Sequence, residues 1–194
     1  MFSFKKDNCN GAQLAELCRE VFAFRRLIIA SNRGPVEYHI AEDGKLVAQK
    51  GGGGVAIALS ALSRYVDFTW VACAMREGDR RAAESLEGGS LPSPFPEQKF
   101  SLRFVVVPEN TYDKYYNVFS NPLLWFLQHY MWSPSYHPDI DQQVWDAWRN
   151  GYIPVNQAFA EAVIAEAEGE SSPFIMLHDY HLYLTAGFIR EKLP

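Results

Sequence analysis

Four apolar runs of strand length recur along the chain: Leu27 to Ala30, Phe68 to Ala74, Leu102 to Val107 and Pro173 to Leu177. Segments of helical periodicity lie between them. Strands joined through helices run parallel within one sheet, so this alternation predicts an α/β fold built on a mainly parallel sheet. Phe68 to Ala74 is apolar without alternation, as a strand covered on both faces must be. Helices are therefore expected on both faces of the sheet.

The segments around these strands divide the chain into residues 1–26, an N-terminal extension with a short helix, and residues 27–194, the domain proper. Residues 1–10 read as a frayed lead-in. From Ala12 to Phe24, Leu14, Leu17, Cys18, Val21 and Phe22 mark an amphipathic packing helix. Val36 to Gln49 reads as a hairpin turning at Asp43-Gly44 and hanging over the sheet edge. Gly54 to Tyr65 is apolar over most of a helical surface, and Arg76 to Leu86 is a polar surface helix. Gly88 to Pro96 reads as loop. Glu109 to Trp132 is rich in aromatic residues, and Asn121-Pro122 divides it into two short helices. Val144 to Glu168 is a long helical pattern interrupted near Gly151 and Pro154. The helix Leu182 to Lys192 follows the fourth strand, and the sequence stops at Pro194 before a further strand, which reads as a truncated domain.

The 194 residues carry a formal net charge of −5, so no general affinity for nucleic acid is implied. Three cysteines, Cys9, Cys18 and Cys73, form no paired spacing, which points to neither a disulfide framework nor a thiolate metal site. No signal-peptide pattern and no apolar run of membrane-spanning length is present, and a cytoplasmic setting is the simplest expectation.

Candidate chemistry sits where strands end, since ligands of open α/β sheets bind beyond the strands' carboxyl ends. Ser31-Asn32-Arg33 follows the first strand. The Arg33 guanidinium could grip a phosphate through two parallel hydrogen bonds, or pair with a local carboxylate such as Glu37. Gly51 to Gly54 matches neither a Walker loop nor a dinucleotide fingerprint. It is either a linker or a turn that lets backbone and free helix N–H groups approach an anion. Tyr115 to Trp125 is either core or a pocket wall. His178-Asp179-Tyr180-His181 follows the fourth strand. Its spacing matches no zinc motif, and a carboxylate accepting from ligand hydroxyls is the better reading. His39, His129 and His137 are scattered.

Taken in order, SNR, GGGGVAIAL, YYNVFSNPLLW, WDAWRNGYIPVNQAFA and HDYHL resemble motifs of the trehalose-6-phosphate synthase family of glycosyltransferases. The resemblance implies two Rossmann-like domains facing a cleft, the GT-B arrangement, with this chain as the N-terminal, acceptor-side domain. It implies transfer of glucose from UDP-glucose, or another nucleotide sugar, to glucose 6-phosphate with retention. Arg33 and Tyr116 would hold the acceptor phosphate, Trp125 and Asp179 the acceptor sugar, and Gly53 and Gly54 the donor diphosphate. No metal and no cofactor is implied, and Asp179 would position the acceptor without forming a covalent bond. The donor domain would be the missing partner, without which the chain is expected to be inactive, and a homo-oligomer is a candidate assembly. Val71-Ala72-Cys73-Ala74 stands where family members often carry Gly-Trp-Ser-Gly. WVACAMREGDRR is similar to relatives that couple cyclitols through nitrogen, so a related transferase with another phosphorylated polyol acceptor is the alternative. A non-catalytic module that binds a sugar phosphate is a third.

Overall fold

The structure, a computed structural model, describes residues 11–22, 25–85, 89–133, 135 and 137–194. The expected lead-in at residues 1–10, Cys9, the end of the first helix at Phe24, and Leu86 and Gly88 at the ends of their expected segments lie outside the described residues. Five strands form one sheet in the order β5-β6-β4-β1-β7: β1 (Leu27–Ser31), β4 (Phe68–Cys73), β5 (Leu91–Pro92), β6 (Phe100–Val105) and β7 (Phe174–Leu177). β1, β4, β6 and β7 pair in parallel, and β5 runs antiparallel to β6. β5 falls in the stretch expected to be loop. It is a two-residue edge strand, a place where Pro92, lacking an N–H, costs no ladder bond.

Alternate residues of each strand serve two cores. Ile28, Ala30, Val71, Cys73 and Val105 face a cluster that includes Phe159 and Val163 of α7 (Ile153–Ala167), together with Tyr115, Phe119 and Tyr152. Leu27, Ile29, Trp70, Phe100 and Leu102 face the second cluster, which contains Cys18 of α1 (Gly11–Phe22) and Ala56 and Leu59 of α2 (Gly54–Leu62). Complete burial of a side chain such as Phe159 stabilises the fold by about 1.5–3 kcal/mol. Only one side of α2 packs on the sheet. Ile57 on its outer side is 70% exposed, so its apolar pattern overstates its burial.

The hairpin pairs β2 (Val36–Ile40) with β3 (Leu46–Lys50). It lies over a sheet face instead of hanging off the edge: Val36 is buried in the α2-side core and Tyr38 meets Phe104 edge-on. Asp79 of α3 (Glu77–Glu84) anchors it by accepting from the Tyr38 N–H at 2.8 Å.

Two long helical runs depart from the sequence expectation of breaks. The first continues from α4 (Glu109–Asp113) through a π-helical stretch, Lys114–Trp125, into α5 (Phe126–Gln128) without interruption at Pro122. In a π-helix the ladder runs i→i+5, so the α-helical bond and close approach to the i−4 carbonyl that proline disrupts are not part of this turn. The second runs from α6 (Gln142–Ala147) through a shorter π stretch, Trp148–Tyr152, into α7. Gly151 sits at its crossing with the first run, where a Cβ would lie 2.6 Å from the Tyr115 nitrogen. This glycine marks a close approach of two backbones, not a helix end. The last expected helix divides as well, into a 3₁₀ turn, Tyr180–Leu182, and α8 (Thr185–Lys192).

At the strands' amino ends, Glu166 of α7 is buried against the sheet. Its carboxylate accepts from Arg26 at 2.7 Å, Ser90 at 2.6 Å and Arg103 at 3.0 Å. Burial raises its pKa, but these hydrogen bonds and the two guanidinium charges prevail and hold it below its ordinary value. A depressed folded-state pKa gives stability that is full above the unfolded value and lost as pH falls through the folded one. Glu166→Gln therefore costs about 2 kcal/mol at pH 7, as expected for lost charged hydrogen bonds. In urea titrations the gap to wild type should narrow below about pH 4.3.

Candidate functional site

The carboxyl ends of β1 and β7 and the start of α2 surround a cavity of about 150 Å³. Its walls include Arg33, Gly53, Gly54, Tyr116, Asp179 and His181. Five of the six residues singled out from the sequence thus meet in one place. The sixth, Trp125, ends the first π-helical stretch outside the cavity's wall, 40% exposed and stacked on His129 at 4.4 Å.

Arg33 reaches this cavity because its loop is anchored from below. The buried Trp70 indole donates to Ser31 Oγ at 2.8 Å, and Ser31 Oγ donates to the Arg33 carbonyl at 2.7 Å. Asn32, also buried, donates its side-chain N–H to the Tyr112 hydroxyl at 3.2 Å. Arg33 donates to the Tyr116 hydroxyl at 3.2 Å, while Glu37, its alternative partner from the sequence, is taken by Arg76 at 3.1 Å. Burial raises the Tyr116 pKa, yet hydrogen bonds involving Asn121 and Arg33, with the guanidinium charge, outweigh it and leave the phenol below its ordinary value. The hydrogen bond from Arg33 to Tyr116 raises the guanidinium pKa in turn, so it stays charged at any working pH. A fixed cation beside a polarised hydroxyl suits an oxyanion of the phosphate class.

Across the cavity, Gly53 precedes α2 with φ 111° and ψ 153°, a conformation open to glycine and strained for other residues. Among the described residues no side chain caps the helix; the first helical bond there is from the Ile57 N–H to the Gly53 carbonyl. Gly54, Val55 and Ala56 line the cavity, and the first N–H groups of a helix have no intrahelical acceptor, an arrangement that favours anions.

Asp179 carries the strongest local signal. Its φ of 76° and ψ of 164° lie in a region otherwise almost reserved for glycine, at a cost of about 1–3 kcal/mol. The strained backbone turns a half-exposed carboxylate into the cavity while its Oδ1 caps the 3₁₀ turn, accepting from the Tyr180 N–H at 2.8 Å. The His181 imidazole and the Tyr180 N–H, against the effect of burial, keep the carboxyl below the usual carboxylate range. An ionised, prepositioned carboxylate is an acceptor for ligand hydroxyls. Asp179→Gly should raise stability by about 1 kcal/mol, the strain relieved less the lost cap and the added chain entropy of glycine. Urea denaturation reads this directly, and a destabilised variant would show that the side chain's contacts outweigh the strain.

Residues not singled out in the sequence hold the Asp179 loop. Asn156 of α7 is fully buried and donates to the carbonyls of Tyr152 and His181, at 2.9 and 3.1 Å. Its side-chain oxygen accepts from the N–H groups of Leu184 and Thr185, each at 3.1 Å. Tyr152 donates to the Tyr180 carbonyl at 2.6 Å. A polar residue at helical spacing from Phe159, Ala160 and Val163 was the available signal for Asn156.

A second cavity of about 220 Å³ lies on the other side of Arg33, bounded by Val36, Glu37, Cys73, Met75, Arg76 and Asp79. Cys73 is buried, which pushes its thiol up to about 12 and leaves it unreactive at neutral pH. Among the described residues no helix is long and apolar enough to cross a membrane.

The family model for glycosyltransferase family 20 matches residues 25–194. The chain belongs to glycosyltransferase family 20. It is 30% identical over 171 residues to the alpha,alpha-trehalose-phosphate synthase (UDP-forming) of Emericella nidulans, a match covering 87% of this chain and 30% of that protein. Two solved structures share the fold, each matched over 86% of this chain and 30% of theirs. One is trehalose-6-phosphate from E. coli bound with UDP-2-fluoro glucose, at TM-score 0.56 and 22% identity. The other is a Burkholderia xenovorans alpha,alpha-trehalose-phosphate synthase (UDP-forming) in complex with glucose-6-phosphate, at TM-score 0.55 and 21% identity. This family 20 chain spans about 30% of the length of that curated relative.

Proposed function

We propose that this chain is the acceptor-side, N-terminal domain, residues 27–194, of a retaining glucosyltransferase that joins glucose from UDP-glucose to glucose 6-phosphate in trehalose biosynthesis. The observation that carries the reading is one cavity with two anion-binding features and a carboxylate: Arg33 with Tyr116, the open start of α2, and Asp179. The acceptor phosphate would take the guanidinium and phenol, its sugar hydroxyls Asp179, and the donor diphosphate the N–H groups at Gly53 and Gly54. Trp125 would cover the acceptor sugar on this reading. A second, donor-binding domain would close the cleft and is needed for turnover, and the enzyme would be cytoplasmic.

In the transfer, an acceptor hydroxyl attacks the glucose anomeric carbon from the side on which the diphosphate leaves. The carbon–oxygen bond to the acceptor forms as that to the diphosphate breaks, and a departing diphosphate oxygen takes the hydroxyl proton. Asp179 orients the acceptor in this step and forms no bond to carbon. Calorimetry of the 194-residue chain tests the acceptor half: glucose 6-phosphate should bind more tightly than inorganic phosphate or glucose alone. Equal affinity for glucose 6-phosphate and inorganic phosphate would remove the sugar subsite.

The 220 Å³ space beside Arg33, lined by Cys73 and Met75, favours one second reading, a related transferase acting on a larger phosphorylated polyol. A panel of phosphorylated acceptors in the same calorimeter separates the two.

A further inference from the structure

His181 is buried to 6% exposure, yet beyond one approach neither of its ring nitrogens has a hydrogen-bond partner among the described residues. That approach is to the strained aspartate: Nδ1 lies 3.3 Å from Asp179 Oδ2. The ring is held in place by stacking, on Tyr116 at 5.6 Å and 14° and on Tyr180 at 4.1 Å and 28°. Asp179 Oδ1 is already committed to the Tyr180 N–H. A buried ring nitrogen with nothing else to bond, held between two stacked rings and 3.3 Å from the second carboxylate oxygen, is placed to steer that oxygen.

We propose that His181 is a positioning residue, donating from Nδ1 to Asp179 Oδ2 and fixing the carboxylate relative to Tyr116, so that one sugar phosphate spans both. This rests on the sugar-phosphate reading of the cavity. The stack sets the distance between the phosphate-binding phenol and the hydroxyl-binding carboxylate, and the imidazole N–H sets the carboxylate's rotation.

Calorimetry of the 194-residue chain with glucose 6-phosphate and with inorganic phosphate tests the proposal. His181→Phe keeps a flat ring in the stack and removes Nδ1. It should weaken glucose 6-phosphate binding by about tenfold while leaving inorganic phosphate, which needs only Arg33 and Tyr116, unchanged. His181→Asn, whose amide nitrogen can occupy the Nδ1 position, should recover part of the loss, and His181→Gln should not. A merely structural role would weaken both ligands together in all three variants and would overturn the proposal. So would a His181→Phe variant that keeps the wild-type preference for the sugar phosphate. Wild-type chain that shows no such preference would instead overturn the sugar-phosphate reading itself.

Discussion

Asn156→Ala should destabilise the protein by about 3 kcal/mol, a large effect for a single polar side chain. Truncation strands the His181 carbonyl and the Leu184 and Thr185 N–H groups, all bonded to this one amide. Each buried polar group left unpaired costs about 1–3 kcal/mol, and local relaxation keeps the total below the sum. Thr185 loses a further partner, since its hydroxyl donates to Asn156 Oδ1 at 2.9 Å. The damage falls on the loop that carries Asp179 and His181, so affinity for glucose 6-phosphate should drop along with stability. Chemical denaturation reads the first effect and calorimetry the second. Asn156→Asp is the control: it retains the acceptor for both N–H groups but no longer donates to the Tyr152 and His181 carbonyls. It should fall between wild type and Ala. Equal stability of Asn156→Ala and wild type would show that the loop is held without Asn156.

Arg33→Ala should weaken glucose 6-phosphate binding by about 1.5–3 kcal/mol, the range for a hydrogen bond to a charged group. The fold should be little affected, because Arg33 is exposed and, among the described residues, its side chain hydrogen-bonds to Tyr116 alone. Removing the guanidinium also removes a cause of the depressed Tyr116 pKa, so the phenol should titrate at higher pH than in wild type. Arg33→Lys should restore the charge without the fork, and so only part of the affinity. Unchanged affinity in Arg33→Ala would take this residue out of the phosphate site. Inorganic phosphate should suffer as much as the sugar phosphate, which separates this variant from those at His181.

The mainly parallel sheet, the hairpin with its turn at Asp43-Gly44 and the start of α2 were legible in local patterns. Apolar runs, an Asp-Gly turn and glycine before an apolar helix depend on near-neighbour sterics and on period, which a sequence displays. Pro122 misled because the usual meaning of proline assumes α-helical width, whereas the turn around it is π-helical. The loop read at Gly88 to Pro96 hid β5, a strand too short to show any alternation. Nothing local indicates that the Trp70 indole N–H supports Ser31 and through it Arg33.

By itself the sequence determined the α/β alternation and the chemical types at the strand ends: a guanidinium, a glycine turn, a phenol and a carboxylate. Only the tertiary structure decided that Arg33 meets Tyr116 across 83 positions, that Glu37 is taken by Arg76, and that Trp125 stands outside the cavity wall. It alone set Asp179 in a glycine-type conformation beside a buried His181. The physical reason is one of range. Strand and helix preferences are written within a few residues, while a strained backbone or a buried polar contact persists only when distant groups such as Asn156 and Tyr152 hold it.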